Sequence, residues 1–584
     1  MQNQYISSAP NGRMRSADSF GGINLANGTP LGEWAELQDM DMSAYPALKT
    51  CLPYTYNNLP EGITGYTFRN GQIAYTVSDG IYIGGEKTAI DGLSEGEKTL
   101  INMGAYIVIL PDWITVNTAT EEASEAVKKA SDTVITGDLL EYNQNQTQPT
   151  VSIYKLLYMD VPSNSEALSE YNVGDNVSVQ WEYNGTKRSQ TLTITSIGAE
   201  TYSGSGCVSV NFDTSVLSDT MYLYTENKTM AGSFRVPRMQ NATMRRIIPE
   251  LDFCVEYNNR LWGCSSKRHE IYCSKLGDPL QWGDYSGIST DSWTATVGTD
   301  GDFTGACVYN GCVLFFKEDC VHSVYGTKAS NFTITTYTVR GVQKGSDKSL
   351  CISEGLLYYK APEGIFAFNA SASSRADGKL CKDITDTAVA TADDRYIVMI
   401  TSGGTAYYYD KLHSAWYTRL LPDAISAHNV NGKLYAIRKD SNGAILQVLL
   451  VNSDDTRLAF RQNTTPFKAV TGDICRREVF TVIRKVRMAI EEYHQTGGSA
   501  VSFAVSASYD GGEWQTIYSY DSEGKQSDGN GILIAPIIPV RCQHIRLMIS
   551  GTMTVTSSDT VMPYLSLYGI YIDTEEASEI GGKH

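Results

Sequence analysis

From residue 62 to residue 438 apolar and polar positions alternate in short runs, and two-residue turns rich in Asn and Gly join the runs. The first frame is Tyr66-Thr-Phe-Arg-Asn70-Gly71-Gln-Ile-Ala-Tyr75. It recurs as Val255-Glu-Tyr-Asn258-Asn259-Arg-Leu-Trp262, as Cys307-Val-Tyr-Asn310-Gly311-Cys-Val-Leu-Phe315, as Ile352-Ser-Glu354-Gly355-Leu-Leu-Tyr358 and as His428-Asn-Val-Asn431-Gly432-Lys-Leu-Tyr435. Period-two alternation puts successive side chains on opposite faces of a strand. Asn-Gly between two such runs specifies a type I′ hairpin, because both central residues need positive φ. A hairpin that returns at intervals of roughly 40–50 residues predicts a β-propeller in which each copy is half a blade. Strand pairs near 303–325, 350–368, 395–409 and 424–437, with two early units at 63–83 and 99–116, bring the expectation to about seven blades.

The pattern breaks in three places. Residues 1–58 have little periodicity and read as an extended amino-terminal arm with short turns, which packs over its own domain or a neighbour. The first blades occupy 59–118. Between 119 and 240 the repeat gives way to an insertion. Glu121–Lys129 is a charged, Ala-rich stretch, either a helical turn or a linker, and a polar loop follows at Asn143. Val173-Gly-Asp-Asn-Val177-Ser-Val-Gln-Trp181, a turn at Asn184-Gly185, then 190–194 and 207–212, predict a small SH3-like or OB-like β-barrel. The remaining blades fill 241–455. After them the alternation of 483–488, 501–506, 545–549 and 565–571 predicts a C-terminal β-sandwich over 456–584. The fold class expected is therefore all-β: a propeller with an inserted barrel and a terminal sandwich.

Composition agrees with strands. There are 37 Tyr and 51 Gly, and 42% of residues are hydrophobic. Lys and Arg number 47 against 65 Asp and Glu, a formal charge of −18. That balance repels nucleic acid and anionic membranes. It suits ordinary solubility first, and as a sharper alternative a surface along which DNA must slide without sticking. No run of apolar residues is long enough to predict a membrane span, and the first ten residues do not read as a signal peptide. The 12 cysteines contain no Cys-x-x-Cys pair and predict small apolar filler, reduced, with no metal.

Candidate chemistry is sparse. No His-Glu-x-x-His, Gly-x-Ser-x-Gly or Walker-type spacing occurs, so neither an enzyme nor a cofactor site is expected. A carboxylate pair in a propeller channel would permit glycan cleavage, but no spacing singles one out. Ser508-Tyr-Asp510-Gly511-Gly512-Glu-Trp514 resembles the Asp-box turn of sialidases and reads as a Gly-Gly hairpin with a packed Trp. Trp181, Trp262, Trp282, Trp293, Trp416 and Trp514 could stack on sugars, though large aromatics on strands more often fill cores.

Three segments together resemble the tail nozzle or stabilisation proteins of bacteriophages, the tail tubular protein B-like family. The opening Phe20-Gly-Gly-Ile23 … Tyr45-Pro46-Ala-Leu48 is similar to that family's Gly-Gly-hydrophobic arm and Tyr-Pro-x-Leu segment. The family continues there with an Arg-rich stretch, where this chain has Lys49-Thr50-Cys51. Asn259-Arg260-Leu261-Trp262 … Ile271-Tyr-Cys-Ser274 … Gly277-Asp278-Pro279 … Trp282 is the second segment, and Phe315-Phe-Lys-Glu-Asp319 … Val321-His-Ser-Val-Tyr325 the third. The resemblance covers the arm and propeller rather than the barrel and sandwich.

The resemblance implies a virion structural protein, made in the host cytoplasm, that forms a homohexameric ring and extends the DNA-ejection channel of the tail. Partners would be adaptor or tail-tip proteins, with genomic DNA passing without specific binding. Phe20, Ile23, Tyr45, Pro46 and Leu48 would lock one copy onto a neighbour, so a chain lacking residues 1–41 would fold but not assemble. The rival reading is a propeller that binds host-receptor glycan.

Overall fold

A computed structural model describes residues 12–26, 28–119, 127–143, 155–183, 185–198, 206–213, 234–235, 239–441, 443–451, 464–474, 481–495, 498–522, 529–535, 537, 539–556 and 562–576. The first ten residues, Glu121 to Ala126, the polar loop after Asn143 and Asn184 of the expected barrel turn lie outside them. Strands joined by turns and five short 3-10 segments make up the described residues. The chain divides into two compact units, Gly62–Thr338 and Met1–Glu61 with Val339–His584.

The unit Gly62–Thr338 holds four antiparallel four-stranded blades, at 65–89, 99–129, 253–296 and 305–337. Their faces stack in chain order. Ala74 and Ile81 of the first blade share a core with Ile107, Ile109 and Val116 of the second. Met103 and Val108 of the second meet Leu261 and Trp282 of the third. Trp262, Cys264 and Ile271 of the third meet Val313, Phe315 and Val324 of the fourth. This is the packing of propeller blades, and it explains why the middle strand Cys312–Phe316 is buried along almost its whole length.

Between the second and third blades the chain builds a closed barrel. Strand Ile135–Asn143 pairs with both Lys155–Pro162 and Met239–Arg246, which joins the two ends of the sheet. Leu157, Val177, Val179, Trp181, Leu192, Ile194 and Phe212 fill it. The barrel runs to Arg246 rather than 240. The expected insertion also begins too early, because Val127–Lys129 pairs with Ile114–Asn117 as the outer strand of the second blade. That strand carries Val-Lys-Lys, and so has no apolar alternation to reveal it.

The other unit holds three blades, at 351–375, 388–420 and 424–449. The last takes its outer strand from before the first blade: Thr55–Asn58 pairs with Ile445–Leu449. Seven blades are thus present among the described residues. The turns Asn70-Gly71, Asn258-Asn259, Asn310-Gly311, Glu354-Gly355 and Asn431-Gly432 each join the first and second strands of a blade. All ten turn residues have positive φ, between 49° and 78°.

The C-terminal sandwich is real but does not consist of 456–584 alone. One of its sheets takes Gly12–Ala17 and Leu48–Thr50 onto strand Tyr564–Glu576. The other takes Trp34–Gln38 onto Thr464–Thr471. Trp34–Gln38 also touches Ala415–Leu420 of the sixth blade in parallel, at Gln38 and Thr418, so blade and sandwich share one nine-stranded sheet. The stretch expected to be an arm is therefore partly sandwich and, at Thr55–Asn58, partly blade.

Candidate functional site: two locked joints

The residues singled out by the resemblance fall into two groups, one in each unit. In the third blade, the turn at Asn258-Asn259 (φ 52° and 56°) sends Arg260 inward. Arg260 is only 3% exposed. Its Nη1 donates to the carbonyls of Ser274 (2.8 Å) and Asp291 (2.6 Å), and its Nη2 to that of Ser289 (2.9 Å). A charge this deep needs such partners, since desolvating it alone would cost several kcal/mol. It thereby clamps the long crossing between Cys273 and Trp293. The carbonyl of Asn259 accepts from Gly277 N, closing the same crossing from the turn side. Leu261 and Trp262 are buried in the blade faces.

Asp278 and Pro279 form the neighbouring joint. Asp278 Oδ2 accepts from Arg246 Nη1 at 3.0 Å, and its Oδ1 from Leu280 N at 2.9 Å. Pro279 O accepts from the Trp282 indole at 3.0 Å, and Trp282 packs edge-on against Trp113. Arg246 is the last residue of the barrel and also donates to Glu170 O. The Gly-Asp-Pro segment therefore ties the barrel to the blade. A second tie is the bridge between Asp175 and Asp284, both buried, with Lys275 on Asp284. Burial pushes the Asp175 carboxyl up from its ordinary range, and the Asp284 charge adds to this.

In the other unit Phe20, Ile23 and Leu48 are 1%, 7% and 0% exposed and belong to the sandwich core with Trp34, Leu37 and Met40. This corrects the expectation of a locking arm: these side chains are consumed by their own chain. Gly22 shows why the motif needs glycine. A Cβ there would lie 2.4 Å from Trp416 O and 2.5 Å from Trp416 N, because Ile23 N donates to that carbonyl at 2.7 Å. Tyr45 differs, being 55% exposed and stacked on His413 at 4.7 Å, with a cis bond to Pro46. The Pro46 carbonyl accepts from Phe20 N at 3.1 Å.

Sequence reading missed a further buried guanidinium, Arg419. Arg419 Nε donates to Asp39 Oδ1 at 3.0 Å and its Nη2 to Leu52 O at 2.6 Å, and it lies 3.8 Å from the Tyr54 ring centroid. Tyr54 in turn bonds Tyr408 at 3.0 Å. Burial holds the Asp39 carboxyl above its usual range against the pull of Arg419. No sequence signal could have paired residues 380 positions apart.

The aromatic candidates separate clearly. Trp181, Trp262, Trp282 and Trp416 are buried, Trp293 is half-buried and Trp514 is 39% exposed. The Asp-box-like segment is a hairpin turn, with Asp510 and Gly511 at φ 48° and 75° and Asp510 Oδ1 accepting from Gln543 N and His544 N. Among the described residues no three His, Cys, Asp or Glu side chains are grouped as metal ligands, and the described cysteines are free thiols.

No family model and no curated protein matches the chain. Among solved structures it is similar to BamB from Moraxella catarrhalis, at 10% identity and a TM-score of 0.31, over 68% of this chain and 98% of that one. It is likewise similar to Sqt1 of Saccharomyces cerevisiae, at 8% identity and a TM-score of 0.31, over 69% of this chain and 99% of that one. Likeness at this level carries no function. The chain is a β-propeller protein on the evidence of its own blades.

Proposed function

We propose that this chain is a non-enzymatic structural protein of a bacteriophage tail, the nozzle ring that extends the DNA-ejection channel. The observation that carries the reading is where the resembling segments fall. Phe20-Gly-Gly-Ile23, Asn259-Arg-Leu-Trp262 and Asp278-Pro279 all lie at joints: Gly22 against the Trp416 backbone, Arg260 across a blade crossing, Asp278 on the barrel's last residue. Residues kept for such roles serve a stiff wall. They fix blade to barrel and terminus to sandwich.

In this reading the protein is a homohexamer in the virion, bound to adaptor or tail-tip proteins. The formal charge of −18 faces passing DNA with few phosphate-binding sites, so that the polyanion is not retained. Lateral contacts come from exposed surface, which includes Tyr45, rather than from Phe20, Ile23 or Leu48. Electron microscopy of the purified chain with symmetry analysis tests this. A six-fold ring with an axial hole is the expected result. A monomer or trimer with glycan affinity would replace the nozzle by a receptor-binding protein.

A further inference from the structure

An open cleft of ≈ 610 Å³ lies in the unit that carries the sandwich. Leu25, Thr29 and Ala35 line it together with Gly472, Asp473 and Arg546. Its size is that of a small-ligand site. A Cβ on Gly472 would lie 2.4 Å from Thr29 Cβ and 2.6 Å from Thr29 O, so these two lining residues are in close contact. Thr29 Oγ1 donates to Asn24 O at 2.7 Å, which leaves its lone pairs to accept.

Arg546 is the unusual member. Its guanidinium sits 5.8 Å from the ring centroid of Trp514, and its Nε reaches Thr471 O at 3.4 Å. Its two terminal nitrogens make no hydrogen bond or ion pair among the described residues. Elsewhere Arg246, Arg375, Arg395, Arg419 and Arg487 each hold a carboxylate. In a chain with so large an acidic excess, a guanidinium stacked on indole and turned into a cleft is prepared for an anion from outside. The cleft also carries a carboxylate, Asp473, whose Oδ1 lies 4.0 Å from His544 Nε2 and which has further oxygen lone pairs to accept with. Trp514 beside it is the one sugar-stacking candidate that is exposed.

The geometry points to a site for an acidic sugar. The ligand's carboxylate lies on the Arg546 terminal nitrogens. Its hydroxyls donate to Asp473 and Thr29, and its C–H face packs on Leu25 and Ala35. A simple anion would use only Arg546, and a neutral sugar would leave it unpaired. This site does not rest on the ring reading: a six-fold ring could be absent and the cleft still bind.

The test is calorimetric titration of the full chain with trigalacturonate and with its methyl ester, which keeps the rings and removes the charge. The acid should bind about tenfold or more tightly than the ester, the size of one charge-assisted hydrogen-bond pair. Arg546→Gln should bring the acid down to the level of the ester, and Arg546→Lys should restore part of the difference. Asp473→Asn, checked for an unchanged melting temperature, should weaken acid and ester alike. Equal affinity for acid and ester, no binding of the acid, or acid binding unaffected by Arg546→Gln would each overturn the proposal. So would acetate competing with the acid at equal concentration, since that would reduce the site to an anion hole.

Discussion

The blades and the woven terminus solve the same problem at different ranges. In the blades each hairpin is encoded within about ten residues, and the turn dictates the register. In the sandwich, strand Trp34–Gln38 finds Thr464–Thr471 more than 400 residues away, and Gly12–Ala17 finds Tyr564–Glu576. The buried guanidiniums repeat the contrast. Arg260 spends its charge on carbonyls no more than 31 residues ahead, whereas Arg419 is paired with an aspartate 380 residues back. Loop-closure cost grows only with the logarithm of length, so distant stitching is affordable once many contacts form together. The lesson is that blade stability is built piecewise, while the sandwich depends on both ends of the chain at once.

Removing residues 1–41 is the strongest way to break this comparison. Phe20, Trp34, Leu37 and Met40 would leave the core, each worth about 1.5–3 kcal/mol of burial. The truncated chain should lose the sandwich, seen as rapid proteolysis after Val451, while Gly62–Thr338 keeps its protease-resistant blades. A truncated chain that melts within a few degrees of the full one would mean that the woven terminus is dispensable.

The two guanidiniums give a graded version. Asp39→Ala leaves Arg419 charged and buried, a loss of about 3–5 kcal/mol. Arg260→Met removes the charge together with its bonds and leaves carbonyls with one partner fewer, a smaller loss of about 2 kcal/mol. Denaturant melts of both variants decide it. If Arg260→Met proves the more damaging, the local clamp outranks the distant one and the comparison is reversed.

How much of this was legible follows the same division. Asn70-Gly71 or Asn431-Gly432 announces a positive-φ turn in two letters, so the blades and their number could be read. The barrel could be read from Val173 to Phe212 because its strands alternate. The terminus could not. Phe20, Ile23, Trp34, Leu37 and Met40 are apolar at irregular spacing because each enters the core from a bend or a short strand rather than from one long face. Nothing around Asp39 in the sequence marks it as the partner of Arg419. The Arg260 motif is a pattern in the sequence, but its carbonyl cage is not, since backbone acceptors leave no mark there. The Arg546 cleft is equally hidden, although the sequence offers Trp514 as a stacking ring.

Acid should affect the blades by a smaller amount. His322 is buried, with Nε2 on Thr299 Oγ1 and Nδ1 on Thr336 Oγ1, both at 2.8 Å, and with Cys320 Sγ 3.9 Å away. Burial lowers its pKa to about 4, and the Lys317 charge adds to this. Above pH about 6.5 the imidazole is neutral whether the chain is folded or unfolded. As pH falls from there towards 4 the unfolded chain takes up a proton that the folded chain refuses, so stability is lost across that window. The melting temperature should therefore fall between pH 7 and pH 5, and less so in His322→Gln, whose amide can still bond the two threonines. An identical pH slope in wild type and variant would remove His322 from the account.

The finest test sets two glycines against each other. Gly432 has φ 77° and nothing within 4 Å of where a Cβ would stand, so Gly432→Ala meets only backbone strain. That should cost about 1 kcal/mol and leave every contact in place. Gly22 is the reverse: its φ is not in the left-handed region, but its Cβ would fall on the Trp416 backbone, which no side-chain rotation can clear. Gly22→Ala should therefore cost more than Gly432→Ala, because strand Ala415–Leu420 must move away from the terminus to admit one methyl group. The loss should appear in the sandwich core, as reduced near-ultraviolet signal from Trp34 and Trp416, whereas Gly432→Ala should leave that signal unchanged. If both substitutions cost the same and neither disturbs the tryptophans, the close approach at Gly22 is not what fixes the terminus, and the hydrogen bond from Ile23 N to Trp416 O must hold it alone.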